Sequence, residues 1–166
     1  MISLLFTKSN KIGSRIIRWG YGGETSHFAI GFDNKIVFHS HFGGPRIDWQ
    51  SDFLRSNKVV YKLEVLAGLR LEDKVYMRIS EKPRFIGYDY GALFYSALVQ
   101  LFRKVFPSSK RPSKNLWSSS VRAVCLEMAD YLEPLVGRID NLDTMFPDEL
   151  YFILSERLKD GHIPKS

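Results

Sequence analysis

The chain has 166 residues, 45% hydrophobic and 14% aromatic, with a net charge of +6 and a pI near 9.4. That length and composition suit one ordered domain with a real core and exclude a disordered or low-complexity chain. The single cysteine, Cys125, excludes an internal disulfide, and no apolar run approaches the ~18 residues of a membrane-crossing helix.

The opening Met1-Ile2-Ser3-Leu4-Leu5-Phe6 is too short for a signal-peptide core before Thr7-Lys8, so a cytoplasmic product is expected. The positive charge permits an anionic partner, such as a membrane surface, nucleic acid or cell-wall polymer, without requiring one. No nucleic-acid partner is expected.

Ile2 to Phe6 reads as a first strand. Ser9 or Asn10 caps a short helix, with Ile12, Ile16 and Trp19 on one side and Lys11, Arg15 and Arg18 on another. Gly20-Tyr21-Gly22-Gly23 ends it. Two strands follow, Ser26 to Phe32 and Ile36 to His41, rich in β-branched and aromatic residues and joined by a turn at Asp33-Asn34.

Three of the four histidines, His27, His39 and His41, lie in this hairpin. Strand alternation puts His27, Ala29 and Gly31 on one face and the apolar Phe28, Ile30 and Phe32 on the other. The small residues beside His27 leave room for something to approach. A two-residue turn would send His27 and His39 to opposite faces. A three-residue turn, Asp33 to Lys35, pairs Ala29 with His39 and puts all three imidazoles on one face, since a one-residue slip flips the strand. The residues admit both registers; the three-residue turn is the one expected.

Gly43-Gly44-Pro45 reads as a further turn. Lys58 to Val65 alternates as a strand, and Leu71 to Ile79 reads as a short helix before Pro83. Ala92 to Phe106 is apolar enough for a buried or interfacial helix, with Arg103 and Lys104 at its end, where it would cap the site or face a membrane. Pro107 to Lys114 is the one linker-like stretch, so a single domain spans 1–166 with an apolar and basic insertion at 92–114. A helix after Ser120 carries Val121, Val124, Cys125, Met128 and Leu132 and ends at Pro134 or Gly137. Thr144 caps a last helix, with Pro147, Asp148 and Glu149 in its first turn and Leu150, Ile153, Leu154 and Leu158 inward.

A helix N-terminus and a neighbouring imidazolium both lower a thiol pKa and make cysteine a nucleophile. If Ser120 is the cap, Cys125 lies a turn in; if the serines stay extended to Arg122, it lies in the first turn. Such a nucleophile needs a base and a group to orient that base. His27 and His39 fit these roles if the hairpin packs on the cysteine helix. The plainer reading makes Cys125 a small core residue. A metal site of His27, His39 and His41 is a third reading, with no carboxylate evident nearby.

His27-Phe28-Ala29-Ile30-Gly31 resembles the histidine strand of the permuted papain-like hydrolases, the NlpC-related group. That group includes the YiiX/YaeF-like amidases and the lecithin retinol acyltransferase-like branch. The acyltransferase branch has a second histidine twelve positions on, the interval from His27 to His39. Cys125-Leu126-Glu127-Met128 is similar to its nucleophile segment, although Val124 and Leu126 depart from the usual residues. Leu5-Phe6-Thr7-Lys8, Ile12 to Trp19, Ser26, Gly87-Tyr88-Asp89-Tyr90 and Phe146-Pro147-Asp148-Glu149-Leu150 resemble YiiX-like segments in order along the chain.

The resemblance implies an α+β, circularly permuted papain-like fold, with an antiparallel histidine sheet packed on a cysteine helix. It implies a cysteine hydrolase working by acyl transfer on an amide or peptide bond, such as one in cell-wall peptide. Cys125 is then the nucleophile, His27 the base and His39 its orienting partner. Ser26 and Tyr88 line the substrate, and no metal or organic cofactor is required. His39 is expected over His41 because it lies within the regular strand. The alternatives are a lipid acyltransferase or thioesterase, and a non-catalytic subunit of a larger assembly such as a phage particle.

Overall fold

The computed structural model describes residues 1–41, 44–65, 73, 77, 136–139 and 145–159. They form an α+β unit around a five-stranded, wholly antiparallel sheet of order β4-β3-β2-β1-β5. The strands are β1 (Ile2–Lys8), β2 (His27–Phe32), β3 (Ile36–His41), β4 (Gly44–Trp49) and β5 (Lys58–Val65). Three helices accompany them: α1 (Ile12–Tyr21), α2 (Gln50–Ser56) and α3 (Pro147–Lys159). Asp73 and Met77 are also helical, inside the stretch read as a short helix.

β1 lies inside the sheet between β2 and β5 and is buried on both faces, which fits its mostly apolar sequence. Ile2, Leu4 and Phe6 meet Phe28, Ile30 and Phe38 on one face, and α3 covers them with Leu150 and Leu154. Leu5, Ala29 and Val37 line the opposite face under Phe53 of α2. Burying side chains this large stabilises a fold by about 1.5–3 kcal/mol each, so the α3 face holds most of the core.

The β2–β3 hairpin has the three-residue connection. Phe32 pairs with Ile36 and Ala29 with His39. Asp33 and Asn34 take φ of 50° and 55°, and the Lys35 N–H donates to the Phe32 carbonyl at 3.0 Å. Asp and Asn are among the few non-glycine residues that enter this left-handed region at modest cost.

Two expectations are corrected, the turn at Gly44-Pro45 and the cap of α1. Gly44 and Pro45 belong to β4, not to a turn. Pro45 is tolerated because β4 is an edge strand, where a missing N–H breaks no ladder. The cap of α1 is Lys11, without a side-chain cap bond; the Ser9 N–H instead donates to Ser14 Oγ at 3.1 Å. The apolar side of α1 faces outward, with Ile12, Ile16 and Trp19 exposed.

At the other end of α1, Gly22 is the left-handed cap, its N–H donating to the Arg18 carbonyl at 2.8 Å. Val136 is helical and Gly137 takes φ 72°, the left-handed conformation common just past a helix end, while Pro134 lies outside the described residues. The segments read as helices at 92–106 and 121–132, the insertion at 92–114 and the Thr144 cap lie outside the described residues.

Candidate functional site

The face of the sheet under α2 carries a line of polar side chains. On β2 it presents His27, on β3 His39, and on β4 Arg46 and Asp48; the pairing of His39 with Arg46 and of Val37 with Asp48 fixes that parity. His27 Nε2 lies 3.3 Å from His39 Nδ1, with the rings edge to face. His39 Nε2 lies 2.9 Å from Asp48 Oδ2. The other carboxylate oxygen, Oδ1, accepts from Arg46 Nε at 2.8 Å and also from Arg46 Nη2.

The chemistry of the carboxylate assigns the protons along this line. An ionised Asp48 can only accept, so His39 Nε2 carries a hydrogen. A neutral His39 then has its lone pair on Nδ1 and accepts from His27 Nε2–H. The basic nitrogen of His27 is therefore Nδ1. Burial works to raise the Asp48 carboxyl, but the hydrogen bonds from His39 and Arg46 outweigh it and hold it below its ordinary 3.8. Asp48 thus stays ionised at neutral pH, where its charge fixes the tautomer of a neutral His39.

His39 is buried, and Phe53 of α2 covers the pair with its ring centroid 4.8 Å from His39 and 5.9 Å from His27. The room expected beside His27 is partly filled from the same side. A Cβ on Gly31 would meet Ser3 Oγ at 2.9 Å and Gln50 Oε1 at 3.4 Å, so glycine is required here by close approach. Ala29 sits beneath Phe53 in the same cluster.

Two sets of hydrogen bonds, one at Ser26 and one at Asp148, fix the entrance to β2. The Ser26 hydroxyl, expected to line the substrate, is hydrogen-bonded to Ser14 Oγ of α1 at 2.5 Å, and the Ser26 N–H donates to the Thr7 carbonyl at 2.9 Å. Asp148, in the first turn of α3, accepts from the backbone N–H groups of Glu24 at 2.6 Å and Thr25 at 3.1 Å, and from the Thr25 hydroxyl. The Phe146-Pro147-Asp148-Glu149-Leu150 segment therefore ties the loop before His27 to the last helix. Glu149 Oε2 meanwhile accepts from the Phe146 N–H at 3.0 Å, and Leu150 enters the core.

Of the expected site residues, His27 and His39 come together across β2 and β3, and Ser26 sits at the entry to β2. Cys125 and Tyr88 lie outside the described residues, and of His41 only the backbone, paired with Gly44, is described. Asp48 and Arg46 were not anticipated. Their signal was the alternation Arg46-Ile47-Asp48-Trp49, hidden by reading Gly44-Pro45 as a turn. Asp48 is also the carboxylate that the metal reading lacked. Among the described residues no group of three His, Cys, Asp or Glu is placed to hold a metal ion. No family model matches the chain, and neither the curated proteins nor the solved structures contain a match to it.

Proposed function

We propose that the chain is a permuted papain-like cysteine hydrolase that cleaves an amide or peptide bond through an acyl-enzyme. The observation that carries this reading is the His27–His39–Asp48 line, with contacts of 3.3 and 2.9 Å. It is the apparatus a nucleophile's base requires: an imidazole whose tautomer is set by a second group, itself set by a third. The one cysteine of the chain is the matching nucleophile.

In this mechanism His27 Nδ1 takes the Cys125 thiol proton. The thiolate attacks the carbonyl carbon, and the Cys125 backbone N–H donates to the developing oxyanion. His27 then returns its proton to the departing amine, leaving a thioester on Cys125. Water attacks that thioester, gives a proton to His27 and releases the acid. His39 and Asp48 stabilise the transient imidazolium, while Arg46 keeps Asp48 ionised.

The test is an acyl-donor probe followed by mass spectrometry of the intact chain and its peptides. The reading predicts one acyl group on Cys125, absent in Cys125→Ser and much reduced in His27→Ala. A chain that accepts no acyl group, or accepts it equally at surface lysines, overturns the reading and leaves Cys125 as a core residue.

A further inference from the structure

We propose that α1 is a docking surface for anionic lipid bilayers. Ile12, Ile16 and Trp19 are 75%, 60% and 79% exposed. At 100° per residue they fall within about 60° of one another, a narrow apolar stripe along one side of the helix. Isolated exposed apolar residues are ordinary, but three large ones in register on a ten-residue helix form a surface.

The inward side of the helix is fixed separately. Ser14 bonds Ser26 at the start of β2, and Arg18 lies back along the chain, its Nε and Nη2 each 3.3 Å from the carbonyls of Ser14 and Ser9. The stripe is therefore held outward rather than left by chance. A Cβ built on Gly13 meets nothing within 4 Å, so that flank is open.

Charge selects the occupant. Residues 1–23 contain Lys8, Lys11, Arg15 and Arg18 and no Asp or Glu. A basic helix with an exposed Trp and branched aliphatics on one side matches the interface of an anionic bilayer, where the ring sits among headgroups and the cations meet phosphate. A partner protein would need acidic groups arranged around the stripe; a bilayer presents them at every orientation. Docking through α1 would hold the His27 strand close to the membrane plane, because Ser14 and Ser26 clamp the two elements. The proposal does not depend on the acyl-transfer reading.

The experiment is flotation of the full chain with phosphatidylglycerol–phosphatidylcholine vesicles, against pure phosphatidylcholine, together with quenching of tryptophan by brominated lipid. Binding to the anionic vesicles at low salt is expected, falling as salt rises. Lys11→Glu with Arg15→Glu should weaken it more than tenfold, from about fivefold for each basic residue near an anionic surface. Ile16→Ser should weaken it with the thermal midpoint unchanged, and lipid quenching should diminish in Trp19→Phe.

Absence of flotation at low salt overturns the proposal, as does flotation indifferent to these variants. Self-association that Ile16→Ser abolishes would assign the stripe to a second copy. A large fall in the midpoint of Ile16→Ser, without vesicle binding, would assign it to cover from within the chain.

Discussion

At the scale of single residues, the division of labour on Asp48 is the informative feature. One oxygen sets the His39 tautomer, and the other is held by Arg46. Asp48→Asn keeps the shape but lets an amide N–H face His39 Nε2, reversing the tautomer. Turnover should fall on the order of a hundredfold or more in the protein that remains folded, read by steady-state kinetics beside calorimetry. His39→Ala should cost at least as much, and His41→Ala far less at equal stability. A larger loss in the His41 variant would reverse the assignment of the orienting residue.

The sign of the pH effect on stability follows from the same carboxyl. Its folded pKa lies below the unfolded value of 3.8, so the unfolded chain binds its proton first as pH falls. The stabilisation from Asp48 is present above 3.8 and is lost as pH drops through the folded value. Denaturant melts of wild type and Asp48→Asn should therefore converge as pH falls below 3.8 and differ most at neutral pH.

At the scale of elements, two short devices position the hairpin. One is the left-handed pair Asp33 and Asn34, which sets the three-residue turn and hence the face shared by His27 and His39. A β-branched residue pays a steric penalty there, so Asn34→Val should destabilise the fold by about 1–2 kcal/mol, measured by urea unfolding. The other is the Asp148 clamp on Glu24 and Thr25. Asp148→Ala leaves a buried threonine hydroxyl and two N–H groups without their acceptor. It should cost about 1–3 kcal/mol and, by loosening the entry to β2, reduce turnover as well.

The hairpin, β1, β5 and α3 were legible because each rests on a local periodicity: alternation in the strands, and a proline with acids opening the helix. β4 and α2 were not legible. A Gly-Pro pair is a turn signal unless the strand is an edge, and edge position is a property of the sheet, not of the segment. The start of α2 carries no side-chain cap, so nothing local announces it. Asp48 was lost with them, and with it the third member of the polar line.

At the scale of the whole molecule, the sheet separates two tasks. The α3 face carries the larger core, and the α2 face carries the polar line beneath Phe53. Leu4→Ala, on the α3 face, should therefore lower stability by about 2–5 kcal/mol while leaving the reactivity of surviving folded protein unchanged. No described helix is long and apolar enough to cross a membrane, so lipid contact, if made through α1, is at the surface. The outward turn of the Ile12–Ile16–Trp19 stripe was invisible in the sequence because periodicity reports an apolar side, not which way it points. The central claim, that His27 activates Cys125, is tested most directly by the rate of iodoacetamide alkylation of Cys125 in the folded chain at neutral pH, wild type against His27→Ala. A wild-type rate above that of a free thiol of pKa about 8.5 is expected, with a marked fall in the variant. A Cys125 that resists alkylation, or reacts at the same rate in both proteins, would contradict it.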